Sequence, residues 1–298
     1  MQNAIFSRTA PAHTAKAGER RWLSNVPCVC TLLAGMMAYQ AHAQSPESLF
    51  QARHLAGAIV MQDVRTGATV VSASASQDVN APVLPLSTTK LLIAASFLEH
   101  GHGVLDTDAL IVHGSDRAGR ELALGLRRSL GSGTLLADLA RFGFARCGQP
   151  PCVSLSPVTG DADWVDTLSI GERRITVTLP QLSRFLRAVG DDGMGIMRRA
   201  TARRLQAAML DTVEKDGTAH GIEGRAGPGW RIGGKTGSGP GDARPTDGIF
   251  AGLVFDARGV ARYTVVTYVR RGGFGGGAAA ELSADVARAV VRRDGSAR

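Results

Sequence analysis

Apolar and polar positions fall into three kinds of pattern along this chain. Between Gly57 and Ser74 two apolar strands flank Asp63-Val64-Arg65-Thr66-Gly67, a hairpin signal. Residues 75–86 read as loop, with Asn80, Pro82 and Pro85. Ser87 to His100 then reads as a helix, with Ser87 able to cap its start and Gly101 able to end it. Its middle, Leu91, Leu92, Ile93, Ala94, Ala95, Phe97 and Leu98, is apolar nearly all round, so this helix is expected in the centre of the fold. Residues 119–142 carry a second helical pattern, interrupted near Gly131–Gly133, and residues 180–190 and 201–215 carry two more. Strands return at 230–237, 248–256 and 261–269, the last two joined by a hairpin at Asp256-Ala257-Arg258-Gly259. A glycine-rich loop at Gly272–Gly277 precedes a last amphipathic helix, Glu281–Arg293. Strands at both ends with helices between predict an α+β fold, in which N- and C-terminal strands meet in one antiparallel sheet flanked by helices.

The first residues change the picture. Basic residues Lys16, Arg20 and Arg21 precede an apolar run from Val26 to Ala38, which ends in Ala41-His42-Ala43. That order predicts a signal peptide over residues 1–43, cleaved after Ala43, with the working domain at 44–298. The run is shorter than the ~20 residues a membrane span needs, so no stable membrane anchor is expected after cleavage and the protein is expected exported, in the periplasm. Removing 43 of the 298 residues leaves 255, enough for a large single core. Four basic residues (Arg8, Lys16, Arg20, Arg21) and Glu19 go with the segment, so the formal charge falls from +8 to +5. No basic run is interleaved with aromatics, which argues against nucleic acid as a partner. Cys147 and Cys152 flank a Pro-Pro turn and are expected to form a disulfide in an oxidising compartment. The seven His residues do not cluster, and neither a metal nor an organic cofactor is expected.

Candidate chemistry rests on two short motifs. Ser87-Thr88-Thr89-Lys90 is S-x-x-K at a helix start, and residues three apart share a helix face, so the Lys90 amine points toward the Ser87 hydroxyl. A serine needs a neighbouring base to act as a nucleophile. Lysine serves only when burial and nearby positive charge lower its pKa. Lys235-Thr236-Gly237-Ser238 lies on a predicted strand, where a cation, a hydroxyl and a closely approachable backbone suit a substrate carboxylate. Either motif alone has a bland reading, a capped helix or an ordinary strand. An apolar S-x-x-K helix followed ~145 residues later by K-T-G is more specific.

With these residues the chain resembles the transpeptidase domain of penicillin-binding proteins and the related serine β-lactamases, over roughly residues 57–292. Pro85-Leu86-Ser87-Thr88-Thr89-Lys90, Ser169-Ile170-Gly171-Glu172, Val177-Thr178-Leu179-Pro180, Gly217-Thr218-Ala219, Gly234-Lys235-Thr236-Gly237 and Gly248-Ile249-Phe250-Ala251-Gly252 carry the likeness. The resemblance implies an all-helical subdomain beside the sheet, and it implies that Ser87 forms an acyl-enzyme and Lys90 takes its proton. It also implies that the N–H groups of Ser87 and Ser238 form an oxyanion hole, and that Lys235, Thr236 and Ser238 hold the substrate carboxylate. Peptidoglycan stem peptides ending in D-Ala-D-Ala, or β-lactams, are the implied partners.

One motif departs. The family's S-x-N spacing lands on Ala118-Gly119-Arg120, and the nearest serine is in Ser115-Asp116-Arg117. Ser115 is either the proton-relay serine or the cap of the next helix. The leading functional expectation is a D,D-transpeptidase or carboxypeptidase. A class D-like β-lactamase is the alternative, on the place of Trp164 and Leu168. A non-catalytic penicillin-binding sensor is a third, on the missing middle motif.

Overall fold

The computed structural model describes residues 45–101, 103–144, 166–172, 175–239 and 246–296. The expected signal segment, Cys147, Cys152 and Trp164 lie outside the described residues. The elements are α1 (Pro46–Ala52), β1 (Ala56–Asp63), β2 (Thr69–Ala75), α2 (Thr89–His100), α3 (Asp116–Arg141), α4 (Leu179–Gly190), α5 (Arg199–Glu214), β3 (Arg231–Gly239), β4 (Asp247–Phe255), β5 (Ala261–Arg270) and α6 (Ala278–Ser296).

All five strands join one antiparallel sheet in the order β2-β1-β5-β4-β3. The N-terminal β1 pairs with the C-terminal β5 from Ala56↔Arg270 to Asp63↔Tyr263, so the two ends of the domain meet as the sequence pattern predicts. The β1–β2 turn forms as read: the Asp63 carboxylate accepts hydrogen bonds from Thr66 N at 2.7 Å and Thr66 Oγ1 at 2.8 Å.

Period-two alternation sorts the strand side chains onto two faces. Ala58 and Val60 of β1, Ala251 and Leu253 of β4 and Val266 of β5 enter a core with Leu182, Phe185, Leu186 and Val189 of α4. Ile59 and Met61, Phe250 and Val254, and Val265 and Val269 enter the opposite core, closed by Phe50 of α1 and Leu282 and Val286 of α6. Local signals set several of the helix ends. Thr178 and Gln181 form a capping box before Pro180 at the start of α4, and Gly101, at φ +70°, ends α2.

The helix with the uniformly apolar pattern is buried, with Thr89 through Ser96 all inaccessible. Helices α3 and α5 pack against it as the helical part of the fold. Polar ties hold it in place. Ser96 Oγ and His100 Nε2 both bond Asp138 Oδ2 of α3, at 2.5 and 2.8 Å. Glu99 accepts from Arg198 N and Thr201 Oγ1 at the start of α5, at 2.8 and 2.6 Å.

Two boundaries differ from the sequence expectation in a way that matters. Ser87 does not cap α2. It lies in a 3-10 turn, Leu86–Thr88, that leads into a helix starting at Thr89. Helix α3 begins three residues before position 119, because Ser115 Oγ accepts from Ala118 N at 3.2 Å and caps it there. The glycine interruption is a kink inside α3, with Gly131 at φ +72°.

Candidate active site

The nucleophile turn is held from two directions. Leu86, just before Ser87, adopts φ +51°, a left-handed conformation rare for a side chain of this size. Neighbours hold it there: Leu86 N donates to Gly171 O at 3.2 Å, and its side chain is buried. Gly171 itself packs so closely that a Cβ would stand 2.0 Å from Leu86 O. From the other side β3 presses in at Gly237, where a Cβ would lie 2.9 Å from Leu86 Cβ and 3.1 Å from Ser87 N. The absent side chain at Gly237 therefore lets the strand's backbone reach the nucleophile.

Lys90 lies one helical turn on, wholly buried. Its Nζ stands 3.0 Å from Ser87 Oγ, 2.9 Å from Gly114 O and 2.6 Å from Asp116 Oδ1. Burial lowers its pKa, Asp116 opposes that shift, and the nearby Arg120 adds to it. A neutral amine has two protons and one lone pair. The Gly114 carbonyl and the Asp116 carboxylate can only accept, so they take the two protons and leave the lone pair aimed at Ser87. The same three partners also satisfy the three protons of an ammonium.

Lys235, on β3, is buried, and its Nζ donates to Thr236 O at 3.1 Å. Burial, with Lys90 as a second positive group, lowers its pKa to about 7. Thr236 Oγ1 donates to Thr218 Oγ1 at 2.8 Å, and Ser238 Oγ accepts from Gly275 N at 2.9 Å. The first contact ties β3 to the segment after α5, the second to the glycine-rich loop. Because β3 is an edge strand, one of its sides has no ladder partner, and alternate N–H groups on that side lie outside the ladder.

Ser87, Lys90, Lys235, Thr236, Gly237 and Ser238 thus come together. Ser115 is placed differently: its hydroxyl caps α3, while its two neighbours face the lysines. A Cβ on Gly114 would stand 3.1 Å from Lys235 Nζ, and Asp116 pairs with Lys90. The segment that occupies the middle of the site is therefore Gly114-Ser115-Asp116, one residue earlier than the triplet read from sequence. Gly114 has φ +67°, where any side chain would be strained. Gly119, on which the family spacing landed, also touches the site, since a Cβ there would lie 3.0 Å from Lys90 Cε. Asp116 and Gly114 were missed because their roles depend on loop geometry. The signal available was a run of small and acidic residues just before a capped helix.

Among the described residues no group of His, Cys, Asp and Glu is arranged to hold a metal ion, and no helix is long and apolar enough to cross a membrane.

Comparison with known proteins follows this geometry. The penicillin binding protein transpeptidase domain family matches residues 124–290, and the chain belongs to that family. The matched region contains the Lys235-Thr236-Gly237 strand and begins after Ser87, Lys90 and Asp116. The D,D-transpeptidase domain of a peptidoglycan glycosyltransferase from Eggerthella lenta is similar, with TM-score 0.65 and 18% identity over 84% of this chain and 82% of that one. A peptidoglycan glycosyltransferase from Burkholderia ambifaria has TM-score 0.68 and 20% identity, over 88% of this chain and 96% of that one. The TP domain of penicillin-binding protein 3 from Burkholderia pseudomallei has TM-score 0.63 and 21% identity, over 88% and 93%. At these identities the solved structures speak for the fold. A search of curated protein sequences found no match.

Proposed function

We propose that the chain is a penicillin-binding D,D-acyltransferase of the cell wall, with Ser87 as its nucleophile. The observation that carries this is the 3.0 Å approach of Ser87 Oγ to the buried Lys90 Nζ, at the edge of the strand bearing Lys235, Thr236 and Ser238. In this reading Lys90, when neutral, takes the Ser87 proton as Oγ bonds to the carbonyl carbon of a D-Ala-D-Ala peptide. The negative charge formed on the carbonyl oxygen meets the N–H groups of Ser87 and Ser238. The peptide C–N bond then breaks, and the departing D-alanine nitrogen keeps the electron pair and takes the proton back from Lys90. An acceptor amine or water releases the acyl group from Ser87. Lys235 and Thr236 hold the terminal carboxylate. A penicillin would follow the same path as far as the acyl-enzyme. The setting would be the periplasm, after removal of residues 1–43, with Cys147 and Cys152 paired.

Hydrolysis of β-lactams in the manner of class D enzymes is less well supported. That chemistry uses a carbamylated lysine, and a carbamate on Lys90 would place a second negative charge beside Asp116. A non-turnover binder is the second reading, supported by Gly114, which offers no relay hydroxyl between the two lysines.

Intact-protein mass spectrometry over time after mixing with a penicillin tests these readings. A lasting adduct, lost in Ser87→Ala, is expected, together with release of D-alanine from a D-Ala-D-Ala peptide; the adduct without that release would favour the non-turnover binder. An adduct that returns to free mass as the drug is consumed would replace the wall-enzyme reading with a β-lactamase. No adduct at all would overturn the nucleophile assignment.

A further inference from the structure

The middle segment gives Lys90 a partner of opposite charge. Asp116 opens α3 with its side chain about half exposed, and its Oδ1 lies 2.6 Å from a lysine nitrogen that is itself fully buried. An ion pair with one partner buried and the other near water holds the amine's proton more tightly than a neutral amide would. Gly114 adds a second constraint, because it brings no side chain between Lys90 and Lys235. The hydrogen bonds made by Lys90 therefore go to Ser87, to a backbone carbonyl and to this carboxylate.

Resting on Ser87 as the nucleophile, we propose that Asp116 is a positioning residue that keeps Lys90 an ammonium at rest, so that Ser87 is acylated only once the Lys90–Asp116 pair has given up its proton. Asp116 and Arg120 come from α3, the first favouring the ammonium and the second opposing it, and Lys235 comes from β3, where the Lys90 charge helps lower its own pKa. Burial also opposes the Lys90 ammonium. Asp116 is therefore the group whose removal frees the amine. After attack, the same ion pair makes Lys90 a weaker acid toward the departing nitrogen. Asp116 thus slows both proton transfers near neutral pH.

The protein offers a direct readout, since its whole sequence has four lysines, Lys16, Lys90, Lys215 and Lys235. Lysine labelled with ¹³C and ¹⁵N, with the Lys90 signal assigned through Lys90→Arg, allows the amine to be titrated by NMR without any substrate. In Asp116→Asn the Lys90 signal is expected to titrate at least about one pH unit lower than in the wild type. One unit corresponds to about tenfold in the fraction of neutral amine on the acidic limb. The rate of adduct formation with a penicillin should shift by the same amount, reaching about tenfold faster at the acidic end. Asp116→Ala, which removes charge and hydrogen bond together, should lower the Lys90 titration similarly but lose part of the rate gain, because the lone pair is less well aimed. Lys90 titrating at the same pH in all three proteins would overturn the proposal. A shifted Lys90 titration with no adduct in any of them at any pH would instead overturn Ser87 as nucleophile, and with it the link to acylation, leaving the ion pair in place.

Discussion

Two parts of the site meet at Lys90 and match the family resemblance to different degrees. The turn of Ser87 and the strand of Lys235 to Ser238 keep the pattern the family resemblance implies. They also fit closely enough that the glycine hydrogen of Gly237 faces Leu86 and Ser87. The segment Gly114-Ser115-Asp116, in hydrogen-bond contact with Lys90 and beside Lys235, carries a glycine, a helix cap and a carboxylate where the resemblance implies another pattern. The contrast teaches where the fold constrains sequence. Strand β3 is held by its ladder to β4 and by its packing on the nucleophile turn, so its backbone tolerates little change. The middle segment is a loop ending in a helix cap. It can keep its shape through Ser115 and the left-handed Gly114 while the groups it offers the lysines change.

The largest effects test the first part. Ser87→Ala should abolish adduct formation. Lys90→Met should slow it by about 10² to 10⁴, the range for loss of a positioned general base. An adduct rate within a few-fold of wild type in the lysine variant would move the base elsewhere. Gly237→Ala adds a Cβ 2.6 Å from Ile249 Cγ2 and 3.1 Å from Ser87 N. It should displace the nucleophile turn and slow acylation by about tenfold or more, since small misplacements of reacting groups are costly. An unchanged rate would show that the strand has slack the packing does not suggest.

The folded protein holds the Lys235 pKa at about 7 against an ordinary 10.5, so between those values the unfolded chain binds the extra proton. Stability should therefore rise with pH across that window and be lowest below about 7. Measured as wild type minus Lys235→Met in urea unfolding at pH 6, 8 and 9.5, the difference should favour the wild type increasingly as pH rises. A flat difference would mean that Lys235 keeps its proton when buried.

The smallest effect separates the halves most sharply. Ser115→Ala should lower stability by about 1 kcal/mol, the usual loss for a helix cap, with little change in acylation. A large fall in acylation with unchanged stability would return Ser115 to the relay role.

Much of this molecule is legible in the chain by itself, because the patterns involved are local. Alternating apolar residues in β1, β4 and β5, the uniformly apolar α2, the hairpin at Asp63 and the helix end at Gly101 each arise from neighbouring residues and backbone preferences. The pairing of N- and C-terminal strands follows once those elements must bury their faces. The S-x-x-K spacing points an amine at a hydroxyl, and it does so here although Ser87 lies in a 3-10 turn just ahead of the helix. What the middle segment does was left to tertiary structure. Whether Ser115 faces Ser87 or caps α3, and whether Asp116 reaches Lys90, depends on the direction taken by a loop between α2 and α3. That direction is set by contacts far away in sequence, such as the hydrogen bond from Thr218 N to Val112 O. No periodicity encodes it. The charge state of the two lysines was likewise decided by folding, because burial beside each other and beside Asp116 exists only once strand and helices have closed around them.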